Sequence, residues 1–176
     1  TEDIVKVTPT TDSTPATYEI VVSQLAKANK IASNQQTGTD AVVTTSEATI
    51  SINGTSLIVG ENTNLGTLKD SINSLASTTN VSAEIIDNRI ILESTVTGAG
   101  NNMTLVDDTG TLFADLGLVS GGANELQVAQ DAQFTVDGLT VNRSTNTFND
   151  VISELNFELK STGSTTLEID FDTDNT

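Results

Sequence analysis

Carboxylates are the groups in this sequence that could most readily catalyse proton transfer. There are 24 Asp and Glu residues, and the closest groupings are Asp107-Asp108 and the alternating Asp170, Asp172 and Asp174. Two carboxylates divide the roles of acid and base only where a local environment, such as an apolar pocket, raises the pKa of one of them. Because no apolar pocket is evident around either group, we expect solvated acidic loops and predict no catalytic residue.

The run "DFDTDN" from Asp170 resembles the first half of a calcium-binding loop. Such loops alternate oxygen ligands, then need a glycine for a sharp turn and a final bidentate Glu. Here Asn175 stands where the glycine belongs, and the printed sequence ends before the Glu. We therefore predict no metal site and no cofactor.

Nucleophilic catalysis is also poorly supported. The sequence has no cysteine and no histidine, so it lacks thiolate nucleophiles, zinc-type ligand sets and the usual general base near neutral pH. Serines and threonines are abundant, but no Gly-x-Ser-x-Gly turn is present and no lysine lies in a recognisable motif. We predict that the protein is not an enzyme.

Four glycosylation sequons occur in the sequence, at Asn53, Asn80, Asn102 and Asn142. In a chain this rich in Thr, Ser and Asn, sequons arise by chance. Asn53 is better explained as the turn residue of a hairpin.

The charge balance excludes several partners. The net charge is −17, and the seven Lys and Arg residues are spread along the chain. Nucleic acids and anionic membranes are therefore poor partners. No apolar run approaches the roughly 20 residues that span a bilayer. An acidic but mostly uncharged surface suits an extracellular protein, and 36% apolar residues are enough for one or two globular domains.

An internal repeat gives the clearest structural prediction. "TISINGTSLIVG" at 49–60 is echoed by "QFTVDGLTVNRS" at 133–144, and each is an apolar alternation interrupted by Asn-Gly or Asp-Gly. These pairs tolerate the positive φ angles of a two-residue hairpin turn. Two β-hairpins are predicted.

Each predicted hairpin is followed by an apolar stripe at helical spacing and then by a second strand pair. The stripes are Leu65, Leu68, Ile72 and Leu75 in the first unit and Phe148, Val151, Ile152 and Leu155 in the second. The strand pairs are predicted at 81–94, turning at Asp87-Asn88, and at 155–171, turning at Gly163. The first stripe could be a partner-binding face, but packing on its own sheet is favoured. Tyr18 and the five phenylalanines are likewise interpreted as core.

The fold class that follows is α+β and strand-rich. We predict two small domains, each made of antiparallel β hairpins with a short packed helix. Residues 1–17 are expected to be an extended lead-in with one short strand at 4–7, and 33–40 a loop or hinge. A helical turn is expected to end at Gly121-Gly122, and the double glycine also indicates a domain boundary.

Several segments together resemble a known family. "YEIVVSQLAKANKIAS" at 18–33, then "AQDAQFTVDGLTVNRSTNTFNDVISELNFELKST" and "DFDTD", resemble the outer domains of the flagellar filament cap family, hook-associated protein 2. The intervening segment from 49 to 95 is similar to a repeat shared among flagellin and hook-associated proteins, with paired Ile-Asn dipeptides at 52–53 and 72–73. That repeat alone is less specific, and the flanking segments favour the cap.

The resemblance implies one domain inserted in the other. It predicts a discontinuous plate domain of 1–44 and 125–176, and an outermost domain of 45–124. Residues 18–23 are then a strand whose partners follow more than a hundred residues later, and the helix-like tail from Leu25 continues with a changed phase.

The resemblance also implies a function. Proteins of that family cap the growing filament at its distal tip, as a ring that promotes flagellin polymerisation. The expected partners are further copies and flagellin, at an extracellular site. No long heptad-patterned segment flanks the domains, so we interpret the sequence as an outer-domain fragment without the helical legs. The alternatives are an adhesin that binds host mucin or glycans, and an outer domain of another filament or hook-junction protein.

Overall fold

The structure, a computed structural model, describes residues 3–9 and 15–169. Strands dominate it, and the helices are few and short. The strands are β1 (Val5–Pro9), β2 (Ala16–Gln24), β3 (Ala28–Ala32), β4 (Ala48–Ile52), β5 (Thr55–Val59), β6 (Val81–Ile86), β7 (Arg89–Thr97), β8 (Leu105–Thr109), β9 (Glu125–Gln127), β10 (Ala132–Val136), β11 (Leu139–Arg143), β12 (Thr147–Phe148), β13 (Leu155–Leu159) and β14 (Gly163–Ile169). The helices are α1 (Leu65–Ser74), α2 (Ala76–Thr79) and α3 (Leu112–Leu116).

The chain forms two compact units, and each has its own hydrophobic core. Unit 1 consists of residues 1–27 and 130–176, and unit 2 of the continuous segment 28–129. Every strand pairing among the described residues of both units is antiparallel. The predicted strand-rich α+β class is confirmed.

Unit 2 contains two sheets and all three helices. The sheets have the strand orders β6-β7-β3-β9 and β5-β4-β8. Helix α1 packs on β6, and its side chains Leu65, Leu68 and Ile72 are fully buried with the inward residues of both sheets. The helix begins where predicted because the Asn64 side chain accepts a hydrogen bond of 2.8 Å from the Thr67 amide.

Unit 1 consists of two sheets, and no helix occurs among its described residues. The strand orders are β11-β10-β2-β14 and β1-β13-β12. Three rings stack in its core: the centroids of Phe134 and Phe148 are 5.0 Å apart, and those of Phe148 and Phe157 are 5.4 Å apart. Val5 of β1 is buried beside them, so the predicted short strand near the N-terminus belongs to the core rather than to the periphery.

The long-range pairing of residues 18–23 is confirmed. Strand β2 pairs with β10 on one side and with β14 on the other, each more than a hundred residues later in the chain. The helix-like tail is a second strand instead: Ala28–Ala32 forms β3, which pairs with β7 and β9 in unit 2. Its apparent helical spacing came from two strands of different phase joined by a short link.

Both predicted hairpins are present, with positive φ at Asn53 and Gly54 and at Asp137 and Gly138. The repeat extends further than the sequence indicated, because each hairpin has a third strand in the same register. Strand β8 lies beside β4 as β2 lies beside β10, and one extra residue, Asp108 or Ser23, bulges at the equivalent place. The third strand follows the hairpin in unit 2 and precedes it in unit 1.

The first turn residue attaches each hairpin to its third strand. The Asn53 amide donates to the Thr104 carbonyl over 2.9 Å, and the Asn53 side-chain oxygen accepts from the Thr104 amide over 2.8 Å. Asp137 and Glu19 make the same two bonds, at 2.9 and 2.8 Å. Asn and Asp are therefore favoured twice over, since they tolerate positive φ and can also accept this bond.

The helix predicted over the second apolar stripe is absent. Residues 147–148 form β12, 149–154 form turns, and Leu155 begins β13. The four stripe residues still face the core of unit 1, but strand pairing of Phe148 with Phe157 and a φ of 67° at Glu154 replace the helical backbone. So short a segment gains too few internal hydrogen bonds to offset the cost of starting a helix.

The strand pair predicted at 155–171 is also wrong as a hairpin. Strands β13 and β14 both exist, but β13 pairs with β1 and β12 whereas β14 pairs with β2. Gly163 marks the change of sheet: its φ is 147°, and a Cβ there would lie 2.9 Å from Ile4 Cδ1. The hairpin at Asp87-Asn88 is confirmed, with positive φ at both residues.

The limits of the two units differ from the expected boundaries at 44/45 and 124/125. The units divide between residues 27 and 28 and between 129 and 130. The reason is the β3–β9 pairing, which ties both flanking segments to unit 2. The expected helical turn is present as α3, and it ends at Gly117, which has a φ of 70°.

Candidate functional site

The two adjacent carboxylates Asp107 and Asp108 do not form an acid–base pair. The Asp107 carboxylate accepts hydrogen bonds from the Phe113 amide over 2.8 Å and the Ala114 amide over 3.0 Å, so it anchors the first turn of α3. Asp108 accepts a hydrogen bond from the Ser51 hydroxyl. Both side chains therefore support local structure.

Metal ligation finds no support in the part of the chain that the structure describes. Within residues 3–9 and 15–169, no three carboxylates cluster closely enough to hold an ion. Asp170, Asp172 and Asp174, with the calcium-loop-like run that they form, lie outside the described residues. Nor is any helix of 3–9 or 15–169 long and apolar enough to cross a bilayer.

Three of the four sequon asparagines have structural roles. The Asn53 side chain also donates a hydrogen bond of 2.7 Å to the Thr79 carbonyl. Asn80 ends α2 in the left-handed conformation, with a φ of 54°, and the Asn102 side chain accepts from the Ala129 amide over 2.9 Å. Asn142 lies exposed on edge strand β11.

The apolar stripe of α1 is not available to a partner. Leu65, Leu68 and Ile72 are fully buried against the sheets of unit 2, as the prediction of internal packing required. The aromatic residues behave similarly: Phe113 is buried in unit 2, the three stacked rings are buried in unit 1, and Tyr18 is partly buried. Phe171 lies outside the described residues.

The surface electrostatics are local and weak. The Arg143 guanidinium donates a hydrogen bond of 2.9 Å to Asp150 and lowers the pKa of that carboxyl. Lys160 acts in the same way on Glu158, whose pKa is also lowered. Both carboxyls are exposed to solvent, so these shifts describe surface ion pairs and not a reactive site.

Sequence reasoning missed one surface feature, a groove on the outer face of the β6-β7-β3-β9 sheet. Its volume is about 500 Å³, and it is lined by apolar and charged side chains of all four strands and the segment before β9. The signal was present in the alternation of β6, since Ile86 points outward with Glu84 where a polar residue is expected. An outward isoleucine alone is common on protein surfaces, so it does not by itself indicate a binding surface.

The sequence matches flagellar proteins over most of its length. A family model described as flagellar hook-associated protein 2 C-terminus matches residues 129–176. The chain is 27% identical over 186 residues to the A-type flagellar hook-associated protein 2 of Pseudomonas aeruginosa, and 32% identical over 182 residues to the B-type protein of strain PAO1. Each alignment includes 90% of this chain but only 38% of the relative's length.

The fold matches solved structures equally broadly. The D2-D3 domains of the flagellar cap protein FliD from Escherichia coli superpose with a TM-score of 0.79 at 25% identity. That match covers 96% of this chain and 95% of the other. Sequence and fold point to the same proteins: the chain is similar to flagellar hook-associated protein 2, and its similarity to the D2-D3 region of that family extends over nearly its whole length.

Proposed function

We propose that this chain is a structural part of a flagellar filament cap at the distal tip of the filament. The observation that carries the proposal is the two-sided match to the D2-D3 domains of a flagellar cap protein, which leaves almost nothing of either chain unmatched. The resemblance of 18–33 and 49–95 to that family, noted from the sequence, supports the same role. In this role the protein promotes flagellin polymerisation and filament elongation.

Unit 1 would be the discontinuous plate domain of the cap. Unit 2, with the repeat of the flagellin and hook proteins, would be the outermost domain inserted in unit 1. The partners would be further copies of the chain, arranged in a ring, and flagellin. The work would be steric rather than chemical, and the location extracellular. The adhesin alternative is not favoured, because the family match accounts for the chain without it.

Genetic complementation tests this role. The full-length gene that encodes this chain is introduced into a strain that lacks its filament cap gene. The expected result is normal filaments, with little unpolymerised flagellin in the medium. A matched variant with Phe148→Ala, which removes the central ring of the unit 1 core, should leave short filaments and released flagellin. An Ile58→Ser variant, altered at an exposed side chain, is the control and should behave as the parent.

The outcome against the proposal is equally clear. If the full-length gene restores no filaments although the protein is exported in normal amounts, it does not encode a cap. A gene that instead corrects a strain lacking a hook-junction protein would assign the chain to that class.

A further inference from the structure

The groove of unit 2 has an apolar floor that crosses the sheet. Ile91 and Ala32 pair with each other in neighbouring strands and are only 7% and 6% exposed. Ile86 on β6 and Leu126 on β9 stand at the two rims and are 54% and 60% exposed. An apolar band that continues from rim to floor is the feature that a binding surface needs, whereas scattered exposed residues need no explanation.

The charges around this floor are unevenly satisfied. Lys30 lies 2.9 Å from the Glu93 carboxylate, and the Arg89 guanidinium donates to the Ser33 carbonyl over 3.0 Å. Lys30 is therefore ion-paired, whereas Arg89 has a hydrogen-bond acceptor but keeps its positive charge, because the Ser33 carbonyl is neutral. Glu84 is exposed and has no ion-pair partner among the described residues.

A second carboxylate at the groove has only a neutral donor. Asp87 receives a hydrogen bond of 3.0 Å from the Gln35 side-chain amide. The groove has two positive side chains, Lys30 and Arg89, and three negative ones, Glu84, Asp87 and Glu93, so its net charge is −1, on a chain whose net charge is −17. A cationic ligand would be attracted and an anionic one repelled.

We propose that this groove binds an apolar segment of a partner polypeptide that carries lysine or arginine beside its apolar side chains. The apolar side chains would cover Ile86, Ile91 and Leu126, and the cation would pair with Glu84. A polypeptide fits better than a small molecule, because the groove is open along the sheet surface and its rims remain half exposed. The proposal does not rest on the role in a filament cap.

Binding is measured on the 176-residue chain with a synthetic probe. The probe is a capped, fluorescently labelled hexapeptide of alternating leucine and lysine, followed by anisotropy at low and moderate salt. We expect saturable binding that weakens as salt rises. The matched peptide of alternating leucine and glutamate should bind at least tenfold more weakly, because its carboxylates meet Glu84 and Asp87. Equal binding of the two peptides would overturn the assignment of a cationic partner.

Variants locate the site. Ile86→Ser combined with Leu126→Ser removes the apolar rims and should weaken binding by about tenfold or more. Glu84→Gln should weaken it a few-fold and reduce its dependence on salt. Ile58→Ser is the control, since Ile58 is 66% exposed on the other sheet of unit 2. All of these residues are exposed, so the variants should fold as the parent does, which thermal unfolding checks.

Four results would overturn the proposal. They are the absence of saturable binding, unchanged binding by the rim variant, equal weakening by Ile58→Ser, and tighter binding of octylammonium than of the leucine-lysine peptide. The last result would make the occupant a small amphiphile. Because no step uses filament assembly, these outcomes leave the cap role to be judged by complementation alone.

Discussion

Replacing Phe148 by leucine should destabilise unit 1 more than replacing Phe113 by leucine destabilises unit 2. Both rings are buried, with exposures of 9% and 2%. Phe148 lies between Phe134 and Phe157, with interplanar angles of 12° and 15°, whereas no ring stacks on Phe113 within the described residues. The two substitutions therefore change similar apolar volume but differ in the aromatic contacts that they remove.

The expected difference in the free energy of unfolding follows from the number of aromatic pairs that each substitution removes. A change from one large apolar side chain to another of similar size usually costs less than about 1.5 kcal/mol. Each aromatic pair adds about 0.5–1.5 kcal/mol beyond burial. Losing two pairs at Phe148 therefore adds about 1–3 kcal/mol to the cost in unit 1, while Phe113→Leu should cost about 1 kcal/mol in unit 2.

Urea unfolding can resolve the two units, because the chain has one tyrosine and no tryptophan. Tyr18 lies in unit 1, so its fluorescence follows that unit, and amide hydrogen exchange of α1 follows unit 2. We expect the Phe148→Leu midpoint in tyrosine fluorescence to fall with little change of slope. If the two substitutions cost the same within about 0.5 kcal/mol, the stack contributes nothing beyond burial and the reasoning is wrong.

Other predictions concern turns and charge. Asn53→Gly keeps the positive φ but loses two side-chain hydrogen bonds, so it should destabilise unit 2 by about 2 kcal/mol; unchanged exchange of unit 2 amides would contradict this. Gly163→Ala should destabilise unit 1 by about 1–3 kcal/mol in tyrosine-monitored unfolding, because of the φ of 147° and the contact of the added Cβ with Ile4. An unchanged midpoint would show that the substitution causes no backbone strain. Since Arg143 lowers the pKa of Asp150 in the folded state, Asp150 stabilises the fold above its unfolded pKa, and this is lost as pH falls through the folded pKa. The Asp150→Asn variant should therefore lose less stability than the parent when the pH is lowered below about 4. An equal loss of stability in both proteins would show that the Arg143–Asp150 pair does not stabilise the fold.

The sequence allowed prediction of the elements whose causes are local. The turns at Asn53-Gly54 and Asp137-Gly138 were predictable because few residues tolerate positive φ at low cost. Helix α1 was predictable because its apolar spacing and the Asn64 cap agree with each other. In both cases the residues that specify the structure lie within a few positions of it.

Errors occurred where distant strands decided the outcome. The stripe from Phe148 to Leu155 has helical spacing and faces the core, yet its last residue belongs to β13, which pairs with β1 in a sheet. Nothing in the sequence of that segment indicates that its end will pair with a strand that begins at Val5. That the two hairpins have an equivalent third strand was missed for a related reason, since this strand comes after the hairpin in one unit and before it in the other.

The candidate site was less predictable than the fold. The absence of histidine and cysteine limited the chemistry from the start, but the groove depends on which side chains of four separate strands share one outer face. Leu126 and Ile86 are forty residues apart, and only the β3–β9 pairing brings β9 into the same sheet as β6. A single sequence does not contain that information in any short window.

The pair of backbone hydrogen bonds between Lys27 and Gln130, which joins the two segments of unit 1, has a consequence for the order of folding. The amides of Lys27 and Gln130 each donate to the other's carbonyl, over 2.9 and 3.1 Å, so the ends of segment 28–129 must meet. Closing a flexible loop of about a hundred residues costs on the order of 4 kcal/mol of chain entropy. If segment 28–129 has already folded with its two ends side by side, this cost does not arise again when unit 1 forms. Unit 2 should therefore fold first and bring β2 close to β10. A destabilising substitution in the core of unit 2 should then slow the folding of unit 1, although it removes no contact within unit 1.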